Sequence, residues 1–227
     1  MPNNQQPIAQ LIAAIQQEAT REPFPVDTEV YQAAGADPLA PILFAGNLDS
    51  ELCFFARDLG RDEVKARQPL FGAAGRLVRS GVHAAFFGKE TPPCDNFAQA
   101  LTKVFLTNTV PYKPPGNKAY PTQVKERFRP FLERLLVCHW HGSRIMPLGS
   151  EALEWFTPYD PGIAAFCKDP DRFGKQLAIT LHATDLVGKQ EKRAVTLLPL
   201  PHPSPLNQKY YALFPQMLQE RLATIRC

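Results

Sequence analysis

Apolar residues fall at positions 8, 11, 12 and 15 within Ile8 to Thr20, the three-and-four spacing of an amphipathic helix, so the chain is predicted to begin with a helix packed as a cover. Residues 21–40 are broken by Pro23, Pro25, Gly35 and Pro38 and predict an irregular connection. The run Pro41-Ile42-Leu43-Phe44-Ala45 ends at Gly46 and predicts a short buried strand, with a turn into a helix near Ser50 to Leu59. A further helix is predicted around Gly72 to Val78, entered through Phe71-Gly72-Ala73-Ala74-Gly75. A second buried strand follows at Val104 to Asn108. Pro121 to Cys138 carries a long helical pattern that opens with proline where proline is tolerated. Arg144 to Gly149 reads as a strand, Ser150 caps a helix through Phe156, and Pro161 to Cys167 predicts another. Leu177 to His182 and Ala194 to Leu200 complete the strands, and Gln208 to Ile225 forms the last helix.

Strands that alternate with helices predict an α/β fold, a three-layer α/β/α sandwich around a mainly parallel sheet. A chain of 227 residues with no internal repeat and no clear linker reads as one domain, with residues 1–40 as its N-terminal helix and irregular cover. In parallel sheets the chemistry gathers at the C-terminal strand ends. Gly46, Asn108 and His202 each lie at or just beyond the end of a predicted strand, so parallel pairing would bring all three to one rim.

Composition narrows the class more than the activity. Hydrophobic residues are 44% and charged residues 21%, which argues against general disorder. The 23 prolines are roughly twice the usual share and collect at 111–121 and 199–205, so they mark shaped loops. A net charge of +3 permits a polyanionic partner without demanding one. The five cysteines are widely spaced and never form a C-x-x-C pair, which favours a reducing compartment over a disulfide framework. No apolar stretch approaches the length of a membrane span, and the polar start lacks the regions of a signal peptide. The expectation is a cytoplasmic, monomeric protein with no membrane partner.

The most informative string is His202-Pro203-Ser204-Pro205-Leu206-Asn207. Each proline fixes its own φ and pushes the preceding residue towards extended backbone, so the loop is stiff. It presents an imidazole, a hydroxyl and a large apolar side chain, a set suited to pressing into a nucleic acid. The string resembles the leucine loop of uracil-DNA glycosylases. Leu106 to Pro121 resembles the strand end and loop that carry the base-reading asparagine in that superfamily. Gln68-Pro69-Leu70-Phe71-Gly72-Ala73-Ala74-Gly75 is similar to its pocket loop, and Ala45-Gly46-Asn47-Leu48-Asp49 sits where its water-handling motif belongs. The four matches run in the family's order from about Pro41 to Tyr211, and they imply a four-stranded sheet.

Cleaving the bond between uracil and deoxyribose puts positive charge on the sugar and negative charge on the departing base, so a catalyst needs a donor at the base oxygen and a group that handles water. The resemblance makes His202 the donor, although a loop histidine on its own more often just caps a strand. Asn108 offers both a donor and an acceptor for the base edge. Gly46 belongs to the substrate-binding set. Asn47 or Asp49 handles water, unless either simply caps a following helix. The iron-sulfur branch carries phenylalanine directly after the pocket-loop proline; here that place is Leu70 and the aromatic is Phe71, with Phe54 and Phe55 as alternative planes under the base. Leu206 is the wedge that fills the vacated stack, and Ser204, Lys113, Lys118 and Lys209 are candidate phosphate contacts.

The same branch binds a four-iron cluster through four cysteines. This chain has no N-terminal cysteine pair, and the loop positions are Tyr112 and Phe128, so no cofactor is expected. His139-Trp140-His141 beside Cys138 lacks a matching second pair for zinc, so no metal is expected either. The resemblance therefore implies a uracil-removing DNA repair enzyme that flips its base out of DNA. A glycosylase for hypoxanthine or xanthine, or a non-catalytic module that binds damaged DNA or a nucleotide, are the competing readings.

Overall fold

The computed structural model describes residues 5–88, 97–116, 118–205 and 207–226. Six strands form one sheet: β1 (Phe44–Gly46), β2 (Leu52–Ala56), β3 (Val104–Asn108), β4 (Arg144–Pro147), β5 (Leu177–Thr184) and β6 (Gln190–Leu197). Their order is β1-β3-β2-β4-β6-β5. The four inner strands run parallel, whereas β1 pairs antiparallel with β3 and β5 pairs antiparallel with β6. The α/β expectation holds, but the sheet is six-stranded and mixed rather than four-stranded. Five of the six strands fall on apolar runs read as strands, and β2 lies where a helix was predicted. β5 and β6 close as a hairpin whose turn is held by the Asp185 N–H donating to the Lys189 carbonyl at 2.9 Å.

All five residues of β2 are buried. A central parallel strand is covered on both faces and loses the period-two alternation that would mark it, so its apolar run cannot be told from a buried helix by pattern alone. Successive side chains nevertheless point to opposite faces. Cys53, Phe55, Phe105 and Ile145 enter one core, and Leu52, Phe54, Val104, Leu106 and Met146 enter the other.

The helices are α1 (Gln5–Arg21), α2 (Thr28–Ala33), α3 (Arg61–Ala66), α4 (Ala73–Phe87), α5 (Thr122–Arg134), α6 (Ser150–Glu154), α7 (Ile163–Lys168), α8 (Gln208–Tyr211) and α9 (Phe214–Arg226). Side chains from α1, α5, α6 and α7 cover the first face, and those from α4 and α9 cover the second. Three layers result. The predicted N-terminal cover is part of the core, since Leu11 and Ile15 are fully buried. The long pattern ending at Cys138 is α-helical only through Arg134, after which Leu135–His139 form a π-helical turn. Among the described residues no helix is long and apolar enough to cross a membrane.

Candidate active site

The C-terminal ends of the four parallel strands are laced to one another. From the end of β3, the Thr109 N–H donates to the Ala56 carbonyl at 2.9 Å and its hydroxyl to the Arg57 carbonyl at 2.6 Å. Beyond β4, the Leu148 N–H donates to the Phe55 carbonyl at 2.9 Å and the Gly149 N–H to the Leu200 carbonyl at 2.8 Å. Gly149 has φ +87°, and a Cβ there would lie 3.0 Å from that of His202. Glycine thus supplies both the left-handed turn and the room for the histidine loop. The Asn207 side-chain amide donates to the His202 carbonyl at 3.1 Å, and the Ser204 N–H to the same carbonyl at 2.9 Å.

These ends enclose a pocket of about 360 Å³ whose walls include Asn108, His202, Ser204, Leu70, Lys118, Arg57 and Asp58. Five residues singled out from the sequence therefore meet in one cavity. Asn108 is 2% exposed, and its side-chain carbonyl oxygen has no hydrogen-bond partner. An unpaired buried acceptor costs about 1–3 kcal/mol, a cost that a donor on a bound ligand would remove. Burial, and after it the Arg57 cation, depress the pKa of the His202 imidazole, while Glu151 opposes them. The ring is thus neutral at neutral pH.

Leu70 is held in place from behind. Its φ is +50°, an unfavourable left-handed value for a leucine. The buried Arg79 on α4 fixes this turn by donating to the Leu70 carbonyl at 2.9 Å, the Pro69 carbonyl at 3.2 Å and the Gln68 side chain at 3.1 Å. A Cβ on Gly75 would fall 1.9 Å from the Leu70 carbonyl oxygen, so only glycine permits this close approach. Glu63 binds the next two backbone N–H groups, those of Phe71 at 2.9 Å and Gly72 at 2.7 Å. With its other oxygen Glu63 holds the Gly60 N–H at 3.0 Å and so joins two walls of the pocket.

Arg57 and Asp58 went unnoticed in the sequence because β2, the strand they follow, was read as a helix. Arg57 donates to Glu151 at 2.8 Å, and its Nε lies 3.1 Å from the Asp58 carboxylate. The Asp58 side chain is 6% exposed. Burial lifts its carboxyl above the ordinary range, while Arg57, Lys125 and the Tyr120 backbone N–H pull it down and Glu151 pushes it up. The one available signal was position: a cation and then a carboxylate directly after an apolar run that contains two phenylalanines.

Several expected residues lie elsewhere. Gly46, Asn47 and Asp49 are not at the pocket, because β1 runs antiparallel to β3 and ends beside Phe105 rather than beside Asn108. Gly46 has φ +95° and serves a tight crossing, since a Cβ would meet the Val104 carbonyl oxygen at 2.1 Å. The Asn47 amide donates to the Thr102 carbonyl at 3.3 Å, and its oxygen accepts from the Asp49 N–H at 2.9 Å. Asp49 meets His141 at 2.6 Å. All three thus sit at the N-terminal ends of the parallel strands. Phe54 and Phe55 are fully buried in the two cores, and Phe71 lines a neighbouring cleft with Arg79 5.2 Å from its ring centre.

Lys113 is corrected from phosphate contact to internal strut. It is 3% exposed and donates to Asp27 at 2.6 Å, the Pro114 carbonyl at 2.9 Å and the Gly116 carbonyl at 2.7 Å. An ammonium has three donors, and all are engaged. Lys209 is exposed on α8, with its ammonium 4.9 Å from the Tyr210 ring centre. Leu206 lies outside the described residues.

At the positions the resemblance assigns to cluster ligands, Tyr112 and Phe128 are fully buried with ring centres 5.3 Å apart, and Phe24 lies 5.1 Å from each. This aromatic packing supplies no thiolate and does not fit a four-iron cluster. Among the described residues no group of three His, Cys, Asp or Glu side chains could hold a metal ion.

No curated protein matches the chain significantly. The family model described as the uracil DNA glycosylase superfamily matches residues 44–226, from the first strand to the end of α9. That span contains every element around the pocket, and the chain belongs to the uracil DNA glycosylase superfamily, a superfamily of hydrolases that act on DNA.

Proposed function

We propose that this protein removes uracil from DNA by hydrolysing its N-glycosidic bond after the nucleotide has been turned out of the helix. The observation that carries this reading is the buried, unpaired side-chain oxygen of Asn108, which requires a donor of the kind uracil presents at N3–H. The carboxamide nitrogen donates to O4. Cytosine, with an acceptor at its N3 and an amino group at C4, mismatches both.

As the bond between C1′ and N1 breaks, its electron pair passes to the base, and neutral His202 donates a hydrogen bond to the O2 that gains charge. Burial, and after it Arg57, which is tied to Glu151, favour the neutral imidazole, and Arg57 adds positive potential beside it. Asp58, in place of Asn47 or Asp49, faces the cationic sugar, orients water and takes its proton as oxygen bonds to C1′. The products are free uracil and an abasic site. Ser204 and Lys118 contact phosphates, and Leu206 fills the gap in the stack.

Hypoxanthine and xanthine form a second reading, because each also places an N–H beside a carbonyl, the pair that Asn108 reads. Oligonucleotides that carry uracil, hypoxanthine or xanthine, treated with alkali after incubation, break only where a base has left. Breakage at uracil is expected, and His202→Ala and Asp58→Asn should each lower its rate by about a hundredfold or more. Breakage only at a purine lesion would move the assignment to that base. A wild type that binds all three strands without breaking any would leave a binding module.

A further inference from the structure

A second cavity, of about 670 Å³, lies beside the base pocket and shares Asp62, Gly72 and Ala73 with it as a common lip. Its walls come from four places: Lys65 on α3, Phe71 in the pocket loop, Arg76 on α4 and Tyr211 at the end of α8. The size falls within the ~300–1,000 Å³ of cavities that hold a small organic ligand. Two cations face one carboxylate, Asp62, so the balance favours an anion. Tyr211 is 37% exposed, which leaves part of its side chain open to solvent at the cleft. Phe71 is held rigidly, because Glu63 binds its N–H and Arg79 stands by its ring.

Aromatic faces with interleaved cations are how proteins hold single-stranded nucleic acid: any base can stack on a ring, and the cations meet the phosphates. We propose that this cleft is a subsite for the nucleotide next to the extruded one, with its base on Phe71 and Tyr211 and its phosphate at Arg76 and Lys65. The inference rests on the proposed function, which puts a uracil nucleotide across the shared lip. It adds that the protein grips a splayed strand through two successive nucleotides, and so favours single-stranded or locally opened DNA over intact duplex. Phe71, the aromatic expected beneath the extruded base, serves the neighbouring base instead.

The test uses short single strands whose uracil nucleotide carries a 2′-fluoro sugar, which resists cleavage, so binding can be read by fluorescence anisotropy independently of turnover. One ligand has the uracil nucleotide alone with its phosphates, one adds a neighbour on the 5′ side, and one adds it on the 3′ side. One of the two neighbours should tighten wild-type binding roughly tenfold or more. Tyr211→Ala and Arg76→Ala should each remove most of that gain, while Tyr211→Phe and Arg76→Lys retain most of it. Equal affinity of wild type and alanine variants for the longer ligands overturns the subsite, even if uracil is excised normally. A wild type that shows the neighbour effect but cuts no uracil-containing strand keeps the subsite and refutes excision. Failure to bind any of the three ligands refutes both.

Discussion

Asp58 holds its carboxyl where charge is disfavoured, and this has a consequence for stability that can be separated from its proposed role. In an unfolded chain the group titrates near 3.8, whereas burial raises that value in the folded protein. Between the two values the folded state binds more protons, so stability falls as pH rises through that interval and stays reduced above it. Above that interval the Asp58 side chain is therefore a net burden on the fold. Asp58→Asn removes the titration while Arg57 keeps its bond to Glu151. By calorimetry the variant should melt higher than wild type at pH 7, with the difference vanishing near pH 3, even as its glycosylase rate drops. A lower midpoint at pH 7 would mean that the carboxylate stabilises the fold and that the burial argument has the wrong sign. A residue that weakens the fold and serves a site is the usual form of a trade between stability and function.

At the scale of elements, the loop after β3 shows two lysines of similar sequence setting acquiring opposite duties. Lys113 lies under the loop and joins it to the start of α2, whose N-cap Asp27 also accepts from the Val30 N–H at 3.3 Å. Lys118, five positions on, is exposed at the pocket mouth. Lys113→Met should destabilise the protein by about 3–5 kcal/mol in denaturant titrations, because it strands a carboxylate that is already largely buried. It should leave the salt dependence of DNA binding unchanged. Lys118→Ala should do the reverse, with stability intact and the slope of log affinity against log salt reduced by about 0.7–0.9, the signature of one lost phosphate contact. If Lys113→Met alone flattens the salt slope, its ammonium reaches DNA and the strut reading is wrong. The pocket loop follows the same logic, since Arg79 and Gly75 shape it from positions outside the cavity lining, while Glu63 ties it to the facing wall.

Across the whole molecule, the segment before residue 44 lies outside the superfamily match yet packs into the core that the match shares. Leu11 and Ile15 are fully buried in the core that also holds Trp140 and Trp155. Leu11→Ala combined with Ile15→Ala should lower a single cooperative unfolding midpoint by about 10 °C or more, from a loss of about 2–5 kcal/mol per side chain. Tryptophan fluorescence and circular dichroism should report the same transition. A separate early melt with the main midpoint unmoved would make the N-terminal cover an independent appendage. The sequence by itself determined the layered α/β class, the strand ending in Asn108, the proline-stiffened loop of His202 and the pocket loop at Leu70. The Asn108 strand and the His202 loop are written locally, in a short apolar run followed by residues that restrict φ, and the Leu70 loop in its resemblance to the family's pocket loop. Tertiary structure alone decided three things. Pairing with β3 reversed β1 and carried Gly46, Asn47 and Asp49 to the opposite end of the sheet, a choice made by partners distant in the chain. Burial on both faces erased the alternation of β2 and so concealed Arg57 and Asp58. Packing against α2 turned Lys113 inward, since a lysine's charge is visible in a sequence but the acceptors that will surround it are not.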